Sequence, residues 1–365
     1  MRKLSAPAID RRSIGLSLGT LMLAKAAPAA AAEASSALAP IGIARGRAAI
    51  GIMGGPLVGT FTRIADDIAR FLALNAPQVP RAIPMVGTGG RQVAQDLLTI
   101  DGLDGAVVSA VVMDDIRRGG WLPDVTRRIA YVAELYSEET HILASTQISN
   151  VQALNGKVVN VGTAGGGTDI IARRLFEGLG VRPIFDNRPT AEALRGVPTG
   201  DPAAVVFVAG KPVAAFQDVS IVGNLHLVPI TLDARTRPRV EPLYRQSVFE
   251  NQDYPRFVPR NTTVPTVASS VFLVTQVYPD GSERKEWLSQ VVTQFVQSLI
   301  SLRAGAAAGT YHPKWQEANV LTRLPGYGRS PEVSAWFNST IAAEPAPGDI
   351  PAPDLTVPGL ALQRP

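Results

Sequence analysis

The sequence predicts an α/β protein with mostly parallel sheet, built as two domains or lobes. Strand-like and helix-like stretches alternate along the chain, the order in which parallel strands are joined by crossover helices. About 333 residues follow an N-terminal leader, more than a typical domain of roughly 100–200 residues. Three times a short β-like stretch runs through a glycine-rich turn into an amphipathic helix. The first is Ala49-Ile50-Gly51-Ile52-Met53-Gly54-Gly55, continuing to Gly59-Thr60-Phe61. The second is Met85-Val86-Gly87-Thr88-Gly89-Gly90. The third is Val158-Val159-Asn160-Val161-Gly162, continuing to Gly165-Gly166-Gly167-Thr168-Asp169. Glycine permits close backbone approach, and a helix start offers N–H groups to negative charge.

Residues 1–32 read as a cleaved export signal. Arg2, Lys3, Arg11 and Arg12 form a basic start, 14–24 is an apolar core, and Ala30-Ala31-Ala32 fits a small-residue cleavage site. That core is too short to cross a bilayer, which needs about 20 residues. Arg11-Arg12, the weak core and Lys25 point to the twin-arginine route, with an ordinary Sec leader as the alternative. The leader holds five basic residues against Asp10, a net of +4, and the whole chain is also +4. The remainder is therefore close to neutral and gives no support to nucleic-acid binding. No later apolar run is long enough to span a membrane. The chain has no cysteine, which excludes disulfides, thiol catalysis, thiolate-bound metal and a lipid-anchored lipobox. Such an exported chain fits the periplasm of a bacterial envelope.

The first helix places Phe61, Ile64, Ala65, Ile68 and Leu72 on one stripe, with Thr60 as its N-cap. The helix after the third turn sets Ile171, Leu175 and Leu179 four residues apart, with Thr168 at its N-cap. Strand-like runs fall at 105–112, 128–133, 141–145 and 203–208. The β-branched run 264–275 reads as a long strand and 283–302 as a late amphipathic helix. Six prolines within 344–365 predict an extended extension closing the chain from 341 to 365.

Catalytic signatures are missing. Gly162-x-x-Gly165-Gly166-Gly167 lacks the dinucleotide spacing, no Gly-Lys-Ser/Thr occurs, and no Gly-x-Ser-x-Gly occurs after the leader, whose apolar core holds Gly15-Leu16-Ser17-Leu18-Gly19. His141, His226 and His312 are scattered, which speaks against a metal centre. His141 either packs or touches a ligand or hinge. The pairs Asp66-Asp67, Asp114-Asp115 and Glu138-Glu139 point in different directions in regular structure and read as solvated surface. Neither an enzyme, a metal nor a cofactor is expected. Asp169 suits the helix dipole by itself and need not touch a ligand.

An ordered set of motifs adds a resemblance. Gly54-Gly55 to Gly59-Thr60-Phe61 is followed by Thr88-Gly89-Gly90, and then by Glu134-Leu135-Tyr136 to His141. Leu154-Asn155-Gly156-Lys157, Val161 to Asp169, Phe207-Val208-Ala209-Gly210-Lys211-Pro212 and Val264-Pro265-Thr266-Val267-Ala268 continue it. The set resembles the TAXI family of solute receptors, the extracytoplasmic binding proteins of one class of tripartite ATP-independent periplasmic (TRAP) transporters. It covers about residues 47–340. The resemblance implies a type II periplasmic-binding-protein fold, with lobe 1 at 47–143 plus 267–340 and lobe 2 at 144–266. Crossing strands near 136–141 and 264–268 would join them. It also implies a small carboxylate-bearing solute and TRAP membrane subunits as partners, the membrane being reached only through those subunits.

The departures are specific. The family's Gly-Thr-Tyr-Tyr is Gly59-Thr60-Phe61-Thr62 here, its Gly-Gly-Ser-x-x-Asn has Arg91 and Ala94, and its Gln-Ser-Asp is Ser109-Ala110-Val111. The expected ligand set is Gly54, Gly55, Gly59, Thr60, Phe61, Gly89, Gly90, Arg91, Tyr136, His141, Gly165, Gly166, Gly167, Thr168, Asp169 and Phe207. Arg91 either pairs a carboxylate of the solute or faces water at its helix start. Changed side chains predict a ligand other than a glutamate-like one. The rival reading is a receptor-derived envelope interaction or signalling protein that no longer serves transport.

Overall fold

Runs of β-branched and small apolar residues form one central sheet, and the amphipathic helices cover it. The computed structural model describes residues 48–343 apart from 58, 121, 214–215 and 217–223. The leader 1–32 and the proline-rich residues 344–365 lie outside the described residues. The chain begins β1 (Ala49–Met53), α1 (Thr60–Asn75), β2 (Arg81–Met85), α2 (Gln92–Thr99), β3 (Leu103–Ser109), α3 (Ala110–Gly119) and α4 (Val125–Arg128). The long β4 (Ile129–Ser145) leads into β5 (Val158–Asn160), α5 (Gly167–Leu179), β6 (Ile184–Asp186), α6 (Thr190–Gly196) and β7 (Ala204–Ala209). Then come β8 (Leu225–Leu227), α7 (Arg237–Val240), β9 (Arg245–Glu250), β10 (Thr263–Gln276), α8 (Glu283–Ala307), β11 (Gly328–Arg329) and α9 (Pro331–Ala343).

The strand order is β2-β1-β3-β10-β4-β7-β5-β6, with β8 and β11 also on β4 and β9 on β10. Each end is a small parallel group: β1 runs parallel to β2 and β3, and β5 to β6 and β7. Two long antiparallel strands connect the groups. β4 pairs with β10 between Ile129 and Glu139, then with β7 between Glu139 and Ala144. β10 pairs with β9 before Ser269 and with β3 from Val271 onward. The fold is thus mixed α/β on a central sheet, with two parallel halves sharing a pair of crossing strands. The lobe boundaries expected at 143/144 and 266/267 fall inside β4 and β10, which continue through them.

Alternation along the strands supplies both faces of the core. Ile50 and Ile52 of β1 and Val107 of β3 pack with Ile64, Ile68 and Leu72 of α1 and Val292 and Phe295 of α8. Met53, Ala106 and Val108 face the other way, toward Val93 and Leu97 of α2, Val112 and Ile116 of α3 and Leu175 of α5. Burying an apolar side chain of this size contributes about 1.5–3 kcal/mol.

Several expectations change. The strand expected at 105–112 ends at Ser109, where α3 begins, because Val112 and Ile116 recur at helical spacing and meet α2 and α5. The runs 128–133 and 141–145 fuse into β4, because the polar residues between them find buried partners. Arg245 pairs with Glu134, Ser269 donates to Glu138, and Lys314 Nζ donates to Glu139 Oε1 at 2.8 Å. The late helix runs five residues past 302. Residues 341–343 close α9 instead of starting the extension.

Candidate ligand cleft

The two helices after the first and third glycine turns begin without side-chain caps. Gly59 caps α1 and Gly166 caps α5, both in extended backbone and neither with a side-chain hydrogen bond. The threonines expected as caps lie within the first turns, Thr60 as the first helical residue and Thr168 as the second. The reason is steric: Gly59 and Gly166 sit where a side chain would meet Pro56 O at 3.1 Å and Thr163 O at 2.9 Å. First-turn N–H groups have no helix carbonyl to bond, and no cap oxygen takes them here. Both N-termini line one cavity of about 260 Å³.

The second glycine turn closes that cavity. Gly90 is left-handed at φ +65°, and a Cβ there would lie 2.1 Å from Gly165 O on the third turn. Arg91 N donates to the same Gly165 oxygen at 3.4 Å. Turns from the two halves of the sheet therefore touch, backbone on backbone. Val108, Val112, Ile171, Phe207 and Val208 form an apolar wall between them.

Of the expected ligand set, Gly59, Thr60, Phe61, Gly89, Gly90, Gly166, Gly167, Thr168 and Phe207 line the cavity. Others stand behind it and hold its shape. Gly54 N donates to Met85 O at 2.8 Å, while Thr62 Oγ1 accepts from Gly55 N and donates to Gly55 O. Asp169 Oδ2 accepts from Gly165 N at 2.9 Å, and its Oδ1 accepts from Arg173 Nε at 2.6 Å and Asn187 Nδ2 at 3.1 Å. Its carboxylate thus folds the turn. Tyr136 is fully buried, edge-on to Phe61 at 6.4 Å. Its hydroxyl sits beside Thr60, and burial with nearby carboxylates holds its pKa well above the usual phenol value.

Arg91 and His141 lie elsewhere. The Arg91 guanidinium binds Asp115 of α3 through two hydrogen bonds, 2.6 and 3.0 Å, beside a separate charged recess. His141 belongs to an aromatic cluster, stacked on Phe249 at 4.5 Å with Tyr254 and Phe216 edge-on. Its Nδ1 faces the carbonyls of Glu139 and Phe207 and therefore carries the proton. Its Nε2 accepts from the Tyr254 hydroxyl at 2.7 Å, which itself accepts from Val213 N at 2.8 Å. Burial lowers the His141 pKa to about 3, so the ring stays neutral.

At least one member of each carboxylate pair is not solvated surface, while Asp66 and Asp115 stay partly exposed. Asp67, Asp114, Glu138 and Glu139 are all buried. Asp67 Oδ2 accepts from His312 N and Trp315 Nε1, and Asp114 pairs with Arg117 and Arg118. Glu138 and Glu139, adjacent on a strand, do point apart, but each into protein. Glu139 receives Lys211 N and Lys314 Nζ. Glu138 faces the cleft with Ser109. Its hydroxyl neighbours are Ser269, donating at 3.3 Å, and Ser109. Burial pushes the Glu138 pKa up to about 7, against the pull of both serines. Glu138 is the ionisable lining residue that the sequence reading missed, alongside wall residues such as Val108, Ile171 and Val208. Strand alternation across a single β4 was the signal that could have found it. Among the described residues, no group of three or more His, Cys, Asp or Glu is placed to hold a metal ion, and no helix is long and apolar enough to cross a membrane.

Two parallel half-sheets sharing crossing strands, with a small cleft between glycine turns, describe a binding-protein type of α/β domain. Residues 55–281 match the NMT1-like family, and the chain belongs to that family. No curated protein sequence matches the chain. Solved structures similar to it include XAC2383 from Xanthomonas citri bound to chloride ion, at 9% identity and TM-score 0.46, covering 80% of this chain and 99% of that one. The effector binding domain of QuiR in complex with shikimate has 9% identity and TM-score 0.42, covering 69% and 99%. An ABC transporter protein from Parabacteroides distasonis has 14% identity and TM-score 0.39, covering 82% and 93%.

Proposed function

We propose that this chain is an exported, non-enzymatic solute receptor that captures a small carboxylate-bearing solute in the periplasm and delivers it to TRAP-type membrane subunits. The observation that carries the reading is the cleft of about 260 Å³ between two helix N-termini without side-chain caps. Main-chain N–H groups and helix dipoles of that kind favour an anionic group, and the apolar wall suits a small organic body. The motif order from Gly54 to Ala268 supports the TAXI type. In this reading residues 47–143 with 267–340 form one lobe and 144–266 the other. Solute then favours the closed arrangement by binding it more tightly than the open one.

The test is a thermal-shift panel on the mature chain, refolded after unfolding to strip bound solute. The panel spans amino acids, oxo-acids, dicarboxylates and aromatic acids. A ligand at 100 times its Kd stabilises by about 2.7 kcal/mol, which moves the melt by about 2 °C or more. A saturable shift with one carboxylate class is the expected result. A flat panel, repeated by calorimetry, would favour an envelope interaction protein whose cleft no longer serves transport.

A further inference from the structure

Glu138 is the one ionisable side chain among the described residues lining the cleft, and an acid facing an anionic solute needs an explanation. It sits on β4 beside β10, with the end of β3 one strand further, where Ser269 and Ser109, 3.3 Å apart, provide only neutral hydroxyls. The titratable groups around it are Glu139 and Tyr136 on the same strand, Lys314 and Tyr244. Lys314 is engaged by Glu139 and Glu317, and Tyr244 donates its hydroxyl to Ile171 O. Neither is left to neutralise Glu138. From α1 the cleft presents Thr60 and Phe61; from α5 it presents Gly167, Thr168 and Ile171, while Asp169 is turned back to its own turn. Burial is the largest influence on this carboxyl and holds it near pKa 7, with Glu139 adding to the rise.

An ionised Glu138 would repel an anion strongly from so buried a position. A neutral one donates a hydrogen bond to it. We propose that Glu138 is the specificity-determining residue of the cleft: as a neutral acid it donates to the carboxylate of an apolar monocarboxylate, so that each solute is bound together with one proton from solvent. This rests on the receptor reading above. A zwitterionic amino acid would instead set its ammonium against ionised Glu138 and bring no proton. The cleft therefore favours an oxo- or aromatic monocarboxylate over the amino acid of matching shape.

The experiment is titration calorimetry on the mature chain with benzoate, 4-methyl-2-oxopentanoate, succinate and L-leucine. Each is run at pH 8 in two buffers of different ionisation enthalpy, and then as a series across neutral pH. The expected result is uptake of close to one proton with the monocarboxylates, and a Kd rising about tenfold per pH unit above pH 7. Glu138→Gln should bind with no proton uptake and no pH dependence. Should that variant fail to fold, the buffer comparison on the wild type still decides. Ser269→Ala gives a second reading, because removing its hydroxyl should move the midpoint to higher pH. Monocarboxylate binding at pH 8 without proton uptake, uptake that persists in Glu138→Gln, or L-leucine binding with proton uptake overturns the proton link and leaves the receptor reading standing. A panel in which no carboxylate binds overturns both.

Discussion

Glu138 and His141 lie three residues apart on one strand, and burial moves their pKa values in opposite directions, to about 7 and about 3. Burial favours the neutral form of each in the folded chain, and their effects on stability have opposite signs. Between pH about 4.5 and 7 the folded state holds a Glu138 proton that the unfolded state has released, so stability falls as pH rises. The full loss is about 3 kcal/mol. Between pH about 3 and 6.5 the unfolded state holds a His141 proton that the folded state refuses, so stability falls as pH drops. The two slopes cancel from about pH 4.5 to 6.5. Glu138→Gln should therefore be more stable than wild type at pH 8, by up to about 3 kcal/mol. It should also show stability climbing with pH up to about 6.5, where wild type is flat. Urea unfolding at pH 5, 6.5 and 8 checks both. A variant curve parallel to wild type across that range would mean that the carboxyl is ionised in the folded chain.

The crossing strand β4 is the element on which this chemistry is mounted, and its polar middle needs buried partners to stay extended. Those partners come from distant segments: Lys314 and Glu317 from the 3₁₀ turn Pro313–Glu317, Arg245 from β9, and Lys211 from the turn after β7. Lys314 joins Glu139 at 2.8 Å and Glu317 at 2.7 Å while almost completely buried. Removing one member of a buried ion pair leaves the rest uncompensated, at a cost of about 3–5 kcal/mol. Lys314→Met should lower stability by that amount in chemical denaturation; a loss under about 1 kcal/mol, the range of a surface pair, would show that water reaches the network. The same partners explain why 134–140 was unreadable as strand. Its string of Ser, Glu, Glu and Thr looks like solvated loop until a lysine more than 170 residues away is placed beside it.

For the whole molecule, Gly90 meets Gly165 and Gly166 across the cleft, the contact on which the proposed closed arrangement would depend. Gly89 and Gly90 offer a matched pair of probes, both left-handed at φ +74° and +65°. Alanine at either position costs about 1–2 kcal/mol of backbone strain, but only at Gly90 would the new methyl strike the opposite turn, Gly89 having nothing within 4 Å. Gly90→Ala should therefore fold and lose at least tenfold in affinity for whichever panel carboxylate shifts the melt. Gly89→Ala should lose far less. Equal losses in both would separate solute capture from this contact.

What the sequence determined by itself was local or strongly periodic. The apolar stripes of α1 and α5 and the β-branched run of β10 stand in the structure close to where their spacing put them, because burial of a continuous face dictates the element. The glycine turns were equally legible as turns that need glycine, but only the structure separates Gly90, where backbone approaches closely, from Gly89 and Gly165, which are left-handed with nothing near. Which N–H groups remain open toward the cleft was decided only by tertiary structure. Gly55, Gly165 and Asp169 are taken up by neighbours within their own turns, and Arg91 is taken by Asp115. Likewise the pair Glu138-Glu139 carries no mark in the chain that one member meets a lysine and the other a cleft. Burial and partnership are properties of positions brought together from β3, β4, β10 and the C-terminal 3₁₀ turn, and no local pattern encodes them.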